Sequence, residues 1–195
     1  MKRTANCLLF ALVACLFPSV AHAHTGIGET SGFMNGVIHP VTGLDHICAM
    51  VAVGLWAAQR GGKAIWLVPL TFVSVMALGG WLGMMGHALP FVEQGIVASV
   101  LILGVLIAAA IRLPLLVSVL IVGLFALFHG HAHGAEMPDT ASGLLYGLGF
   151  IFSTLLLHLC GIALGLSAQR FGTPQLIRYA GVAIIGCGLF LCVAG

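Results

Sequence analysis

The stretch GIVASVLILGVLIAAAI, from Gly95 to Ile111, contains no charged residue and one polar side chain, that of Ser99. Similar segments recur along a chain of 195 residues that is 61% hydrophobic and only 6% charged. Soluble domains carry about 25% charged residues, and a nucleic-acid-binding protein would need a basic stripe. Because the apolar residues form long runs and do not alternate with polar ones, a β-barrel is disfavoured. The composition predicts an all-α, polytopic membrane helix bundle that contacts the lipid bilayer and no nucleic acid.

Residues 1–23 have the organisation of an export signal. Lys2 and Arg3 give a positive start, Cys7 to Val20 is a short apolar stretch, and Ala21 to Ala23 form a small-x-small cleavage site. An uncleaved anchor is the alternative, and a lipoprotein-type site ending at Cys15 is a minor one. We therefore predict a cleaved signal peptide, residues 1–23, followed by one transmembrane domain, residues 24–195.

Six apolar segments follow the signal, each close to the ~20 residues that cross ~30 Å of hydrocarbon as a helix. They run approximately from Pro40 to Ala58, Ala64 to Gly86, Gly95 to Ile111, Leu115 to His129, Ser142 to Ser167 and Leu176 to Ala194. Pro40 suits the first turn of the first span, which leaves His39 at the start of that helix. Because the breaks are short, we expect consecutive helices to be antiparallel neighbours.

The charged residues predict an orientation for this six-helix bundle. All bases after the signal fall in alternate breaks or next to one of them: Arg60, Lys63, Arg112, Arg170 and Arg178. The acids Glu29, Glu93, Glu136 and Asp139 fall on the other side. Since Lys and Arg mark the cytoplasmic face, we predict a bacterial inner-membrane protein whose mature termini both lie in the periplasm.

Glycines recur at a spacing of four residues, which in membranes usually lets helices approach closely. The pairs are Gly79 with Gly83, Gly143 with Gly147, and Gly161 with Gly165. We expect these pairs to serve packing and not a substrate. Gly130 and Gly134 lie among histidines instead, and there we expect the helix to loosen around a cavity.

The first polar cluster is HPVTGLDH, from His39 to His46, at the outer end of the first span. An Asp at a helix centre costs on the order of 3 kcal/mol on insertion scales, so Asp45 and His46 are functional candidates. On a regular helix His39 and His46 share a face but lie ~10.5 Å apart. Either Gly43 opens the helix locally, or His39 is an outer station and the other two an inner one. The structural alternative is that Asp45 and His46 pair with each other or with a neighbouring helix.

The second polar cluster is FHGHAHGAE, from Phe128 to Glu136, at the outer end of the fourth span. His129, His133 and Glu136 form one helical stripe with the spacing for a shared ion. His131 points elsewhere and is expected to be a solvent-side collector. A chance surface tract is the structural alternative.

Three further histidines are candidates for metal access or relay, together with His131. His87 flanks the outer turn between the second and third spans with Glu93, where a merely solvated side chain is equally plausible. His158 lies mid-span, either as an inner relay or as a neutral imidazole hydrogen-bonded across helices. His24 would be the mature N-terminus, where amine and imidazole together bind a metal.

Imidazoles with a few carboxylates suit borderline divalent ions: nickel, cobalt, zinc and copper(II). The predicted metal-binding set is His39, Asp45, His46, His129, His133 and Glu136. Magnesium and calcium would need an oxygen cage, and the sequence lacks the Met or Cys pairs typical of copper(I) sites. Because imidazole binds metal in its neutral form, uptake should weaken below about pH 6.

The signal, the six segments and the two motifs HPVTGLDH and FHGHAHGAE together resemble the HupE/UreJ family over essentially the whole mature chain. This resemblance implies a secondary permease for Ni²⁺, or in some bacteria Co²⁺, that supplies hydrogenase or urease maturation proteins. It also implies functional positions at His39, Asp45, His46, His129 and Glu136. The metal would be a transported substrate, with no permanently bound cofactor.

Two alternatives to a permease remain at this stage. One is a non-transporting membrane accessory protein that binds metal for hydrogenase or urease maturation. The other is a membrane enzyme, either a metallohydrolase or a b-type cytochrome with histidine ligands from two spans. The zinc-protease pattern H-E-x-x-H is absent from the sequence, and so is the Walker pattern of ATP hydrolysis. We therefore do not expect an enzyme.

Overall fold

A computed structural model describes residues 29–137 and 142–194, and within these ranges the chain is helical and contains no strand. The helices are α1 (Glu29–Thr42), α2 (Leu44–Arg60), α3 (Ala64–Met84), α4 (Val92–Ala108), α5 (Leu115–Ala135), α6 (Gly143–Arg170) and α7 (Gln175–Ala194). The all-α prediction is confirmed. The predicted signal peptide, His24 and Asp139 lie outside the described residues.

Four helices, α3, α5, α6 and α7, are long and apolar enough to cross a membrane. A fifth candidate arises if α1 and α2, which meet at an angle of 82°, count as one broken span. The apolar helix α4 has 17 residues, about 25 Å of helix, which is slightly short of a full crossing. The described chain is thus a membrane protein with four or five candidate spans, and the count of six stays a prediction.

The start of the first span differs from the prediction. Pro40 does not begin that span; it lies inside α1, which ends two residues later at Thr42. Gly43 has extended dihedral angles, φ −90° and ψ 124°, and its carbonyl accepts the first hydrogen bond of α2, from Ile47 N at 3.1 Å. Proline lacks the N–H that the last turn of α1 needs, so the helix is weakest where the chain turns.

Helix α1 forms although its sequence has no long apolar run, because it packs closely on α6. A Cβ atom on Gly36 would overlap the carbonyl oxygen of Tyr146, and one on Gly149 would overlap that of Phe33. The two backbones therefore touch on both sides of the crossing, which only glycine allows. This contact fixes the direction from which α1 delivers His39.

The expectation that consecutive helices are antiparallel neighbours is met only in part, because α2 contacts α3 and α4 contacts α5 but the larger contacts are between other helices. The most extensive contacts join α3 with α5, α2 with α6, α1 with α6 and α4 with α7, whereas α6 and α7 touch little. Burying the polar faces of α2, α5 and α6 together requires these non-consecutive pairs. The bundle is interlocked, and the ends of α1, α2, α5 and α6 meet at one point.

The glycine pairs act in packing, as predicted for two of the three. A Cβ atom on Gly79 would lie 2.5 Å from the Leu127 carbonyl oxygen, and one on Gly161 would overlap that of Val51. Gly147 is the exception, with no atom within 4 Å of its added Cβ. Gly130 and Gly134 do not loosen α5, which is helical through Ala135. They are instead the points where α5 touches the backbone of α3.

Candidate metal centre

The bend between α1 and α2 brings the residues of the first motif together. His39 lies in the last turn of α1 and His46 in the first turn of α2, and their ring centroids are 6.3 Å apart. A straight helix would separate them by ~10.5 Å. A Cβ atom on Gly43 would lie 2.7 Å from Asp45 Oδ1 and 2.8 Å from His46 Nδ1. The chain therefore opens at Gly43, as the first of the two arrangements predicts, and His39 also belongs to a more exposed group than His46, as the second predicts.

Asp45 and His46 form a hydrogen-bonded pair. His46 Nδ1–H donates to Asp45 Oδ1 at 2.6 Å, as the structural alternative for this motif required. The pairing also has a chemical consequence, because a protonated Nδ1 leaves Nε2 with a free lone pair. That Nε2 atom is buried and has no hydrogen-bond partner. The carboxylate thus orients an imidazole that is ready to bind a metal.

His129, on α5, has the same arrangement with a backbone partner. Its Nδ1–H donates to the Phe125 carbonyl at 2.9 Å, and its Nε2 is buried without a partner. Its ring centroid lies 5.3 Å from that of His46. Two imidazoles from separate helices therefore carry unpartnered Nε2 atoms within one cluster of rings.

His133 lies at the centre of the cluster. Its ring centroid is 4.1 Å from that of His46 and 4.6 Å from that of His39, and only 2% of the residue is exposed. Neither of its ring nitrogens has a hydrogen-bond partner. A buried imidazole with both nitrogens unpartnered is costly, and bound metal would remove part of that cost.

The outermost group joins His39, His133 and Glu136. One ligand atom from each lies within 4.8 Å of the others, and His39 Nε2 is 3.4 Å from Glu136 Oε2. Ligands of one tetrahedral ion are about 3.4 Å apart, so small side-chain adjustments would complete a three-ligand site. The Glu136 side chain is 55% exposed, so this group opens to the outside.

The second motif divides between two groups. The sequence predicts one shared ion for His129, His133 and Glu136. In the structure His133 and Glu136 join His39, whereas His129 faces His46. All six residues of the predicted metal set nevertheless lie in or beside one connected cluster.

His131 is not the solvent-side collector that the sequence suggests. It is 9% exposed, and its Nε2–H donates to the His87 carbonyl at 2.6 Å, which ties the α3–α4 connection to α5. The imidazole of His87 is exposed, as is Glu93, and the contact to His131 uses the His87 backbone. His131 is buried because α5 stays helical past Gly130 and packs that face on α3.

His158 lies deeper in the bundle, on α6. It is 1% exposed, and among the described residues neither ring nitrogen finds a hydrogen-bond partner. This finding contradicts the alternative of an imidazole hydrogen-bonded across helices. The Phe72 ring lies 5.1 Å from the His158 ring and 5.7 Å from the His129 ring, so one aromatic side chain contacts both.

Sequence reasoning missed the aromatic wall of the site. Phe150 packs on His133 with ring centroids 3.9 Å apart, and Tyr146 lies 6.1 Å from His39. A cavity of about 90 Å³ between α3, α5 and α6 is lined by these two residues and by His133. Tyr146 and Phe150 share a face of α6 at i,i+4, but an apolar helix offers many such pairs and no signal distinguishes this one.

Comparison with known proteins places the chain in a family. The profile of the HupE / UreJ protein family matches residues 12–191. The chain belongs to the HupE/UreJ family. It is 48% identical over 184 residues to Protein HupE of Rhizobium leguminosarum bv. viciae, which covers 93% of this chain and 95% of the relative. No solved structure matches the chain. The resemblance to the HupE/UreJ family that the sequence indicated is thus confirmed.

Proposed function

We propose that this HupE/UreJ protein is a secondary permease that imports Ni²⁺, or alternatively Co²⁺, across the bacterial inner membrane. The observation that carries the proposal is the column of buried, unpartnered imidazole nitrogens. The exposed carboxylate of Glu136 lies at its outer end, and the imidazoles follow inward in the order His133, His46 and His129. Polar atoms without partners inside a membrane bundle mark a substrate pathway.

The donors favour a borderline divalent ion as the substrate. Glu136 and His39 would capture the ion at the periplasmic end, with His133 as the ligand common to the next group. His46 and His129 would then receive it through their Nε2 atoms. Nitrogen-rich sites with few carboxylates suit nickel, cobalt and zinc, whereas magnesium and calcium need oxygen cages. The ion is cargo, and no permanently bound cofactor is proposed.

The membrane potential would provide the driving force. The chain has no Walker motif, so ATP hydrolysis is not proposed for it. Moving a divalent cation toward an inside-negative cytoplasm releases ~4.6 kcal/mol per 100 mV. The predicted orientation, with basic residues in the cytoplasm and both mature termini in the periplasm, points the His-rich end at the metal supply.

The direct test is uptake of radiolabelled nickel by cells that lack other nickel importers. Asp45→Ala and His46→Ala should reduce uptake to background at unchanged membrane abundance. Gln169→Ala, at the opposite end of the bundle, is the control and should keep wild-type uptake per molecule. Unchanged uptake in both site variants would defeat the assignment.

Counter-flow in proteoliposomes, with nickel, cobalt and zinc in competition, would rank the substrates. It would also distinguish the permease from the accessory protein for hydrogenase or urease maturation, which would bind metal without flux. A Soret band in the purified protein would instead indicate a haem enzyme. Binding without flux and a Soret band would each contradict the permease, in two different measurements.

A further inference from the structure

Below the cluster, α3 and α6 bring a second set of donor atoms together. Met76 and Thr154 face each other across the helix pair, with Thr154 Oγ1 3.7 Å from Met76 Sδ. Met76 is 2% exposed and Thr154 is fully buried. His158 follows Thr154 at i+4, so both lie on one face of α6, about 6 Å apart along the axis.

The hydroxyl of Thr154 behaves differently from those of several other residues in the bundle. Hydroxyls of Thr71, Ser99 and Ser118 donate to carbonyls three or four residues earlier in the chain, at 2.7, 2.6 and 3.1 Å. This is the usual partner of such side chains in apolar helices. Thr154 instead reaches across to a sulfur, which is a weak acceptor. Its oxygen lone pairs therefore remain available at the α3–α6 contact.

His158 provides the independent observation. Both of its ring nitrogens are buried and unpartnered, whereas buried polar side-chain atoms in proteins usually have a hydrogen-bond partner. Its ring packs edge-on against Phe72, which precedes Met76 by one turn on α3. Phe72 thus faces His158, and Met76 faces Thr154, one turn away. The second pair contributes a sulfur and an oxygen, and His158 contributes the ring nitrogens.

We propose that His158, Met76 and Thr154 form a second, inner binding station for the divalent ion. This inference rests on the proposed function, because it supplies the next step beyond His129. The flexible thioether of Met76 would swing toward the ion, with the imidazole as the strongest ligand. A sulfur ligand favours nickel and cobalt over the harder manganese and magnesium ions, so the inner station would act in selection.

Metal spectroscopy on the full chain tests the station. Purified protein in lipid nanodiscs would be loaded with an excess of Ni²⁺, and X-ray absorption at the nickel edge would report its ligands. The six residues of the outer cluster carry no sulfur, although Met76 and Met84 also line the cavity beside His133. A sulfur neighbour is therefore expected in the wild type, should vanish in Met76→Leu and should persist in Met84→Leu. Met50→Leu is the matched control, because Met50 is equally buried but outside the station. Leucine conserves the volume in both variants.

Uptake gives the second measurement. Met76→Leu should lower nickel uptake about 10-fold to 100-fold, the range typical of lost metal-site support, while Met50→Leu stays within about twofold of wild type. Thr154→Val should act in the same direction, with Thr71→Val as its control. If wild-type protein transports nickel but the paired variants behave alike in both measurements, the inner station is wrong and the permease stands. If wild-type protein neither binds nor transports nickel, both proposals fail.

Discussion

The two ends of the bundle treat their polar side chains in opposite ways. At the basic end, Gln59 donates to the Ile107 carbonyl at 3.1 Å, Gln169 to the Ala58 carbonyl at 2.9 Å, and Arg178 to the Ala108 carbonyl at 2.8 Å. These carbonyls lie at the C-terminal ends of α2 and α4, which have no partners within their own helix. At the His-rich end, by contrast, the imidazoles leave ring nitrogens unpartnered.

The difference separates structural polar groups from functional ones. Amide and guanidinium groups at the basic end cap helix termini, although Gln59 Oε1 and Arg60 Nε remain without partners. The buried histidines make some hydrogen bonds, but each keeps at least one unpartnered ring nitrogen, which costs folding free energy that no contact in the described chain returns. We interpret that cost as the price of a site for a cation. The following predictions test this contrast, from the largest effect to the smallest.

Replacing His133 should have the largest effect. His133→Ala removes the imidazole that links the outer and inner groups, so nickel uptake should fall at least ~100-fold. Because both nitrogens lack partners, the variant loses no hydrogen bond, but it leaves a cavity beside Phe150, so uptake is expressed per molecule of folded protein. The capping variant Gln169→Ala should keep its uptake per molecule even where its abundance is lower. Uptake assays with quantitative immunoblots would reveal whether the two ends differ in this way.

Asp45→Asn should lower uptake less severely, by about 10-fold to 100-fold. Asparagine retains an oxygen that accepts the hydrogen bond from His46 Nδ1, so the imidazole stays oriented while the negative charge is lost. The decline should appear as weaker apparent affinity for nickel, measured from uptake against nickel concentration. Wild-type affinity in this variant would mean that the charge of Asp45 plays no part.

Gly134→Ala should disturb the frame that holds the cluster. An added Cβ would overlap the Gly80 carbonyl oxygen where α5 crosses α3, so one of the two backbones would have to shift. We expect several-fold lower abundance of folded protein and an earlier thermal transition in detergent. Gly186→Ala is the control, since nothing lies within 4 Å of its added Cβ. Equal stability of the two variants would contradict the close helix crossing.

Arg178→Gln should have the smallest effect. The variant loses the hydrogen bond to the Ala108 carbonyl, a contribution of about 1 kcal/mol at an exposed position. Nickel uptake per molecule should stay within about twofold of wild type, with a slightly lower melting temperature. A large loss of uptake would mean that the basic end takes part in transport and would weaken the contrast between the two ends.

Much of the helical frame was predictable, because apolar runs of about 20 residues have few alternatives to spanning a bilayer. The predicted segment from Ala64 to Gly86 corresponds to α3, Ala64–Met84, and the last predicted segment corresponds to α7. Helix α1 was missed because its sequence is polar and glycine-containing, and its stability comes from contact with α6. The turn at Gly43 was one of two alternatives that local spacing could not distinguish.

The candidate site was predictable as a set of residues but not as an arrangement. Ionisable side chains in apolar segments are conspicuous, so His39, Asp45, His46 and the α5 motif stood out from the sequence alone. Their grouping was wrong in one respect, because His129 faces His46 and His133 joins His39. The predicted exposure of His131 was also wrong. Helix periodicity gives the face of α5 on which His131 lies but does not show that α3 covers this face.

The sequence by itself determined the environment of this protein and the chemistry available to it. The hydrocarbon core of a bilayer contains no water and therefore favours long apolar helices. The histidine and carboxylate side chains within them determine which ions can bind. Only the tertiary structure decided which rings meet, how deep His158 lies and which nitrogens stay unpartnered. The physical reason is that helix pairing in a bilayer depends on the close fit of glycine surfaces far apart in the chain, such as Gly36 on Tyr146 and Gly134 on Gly80.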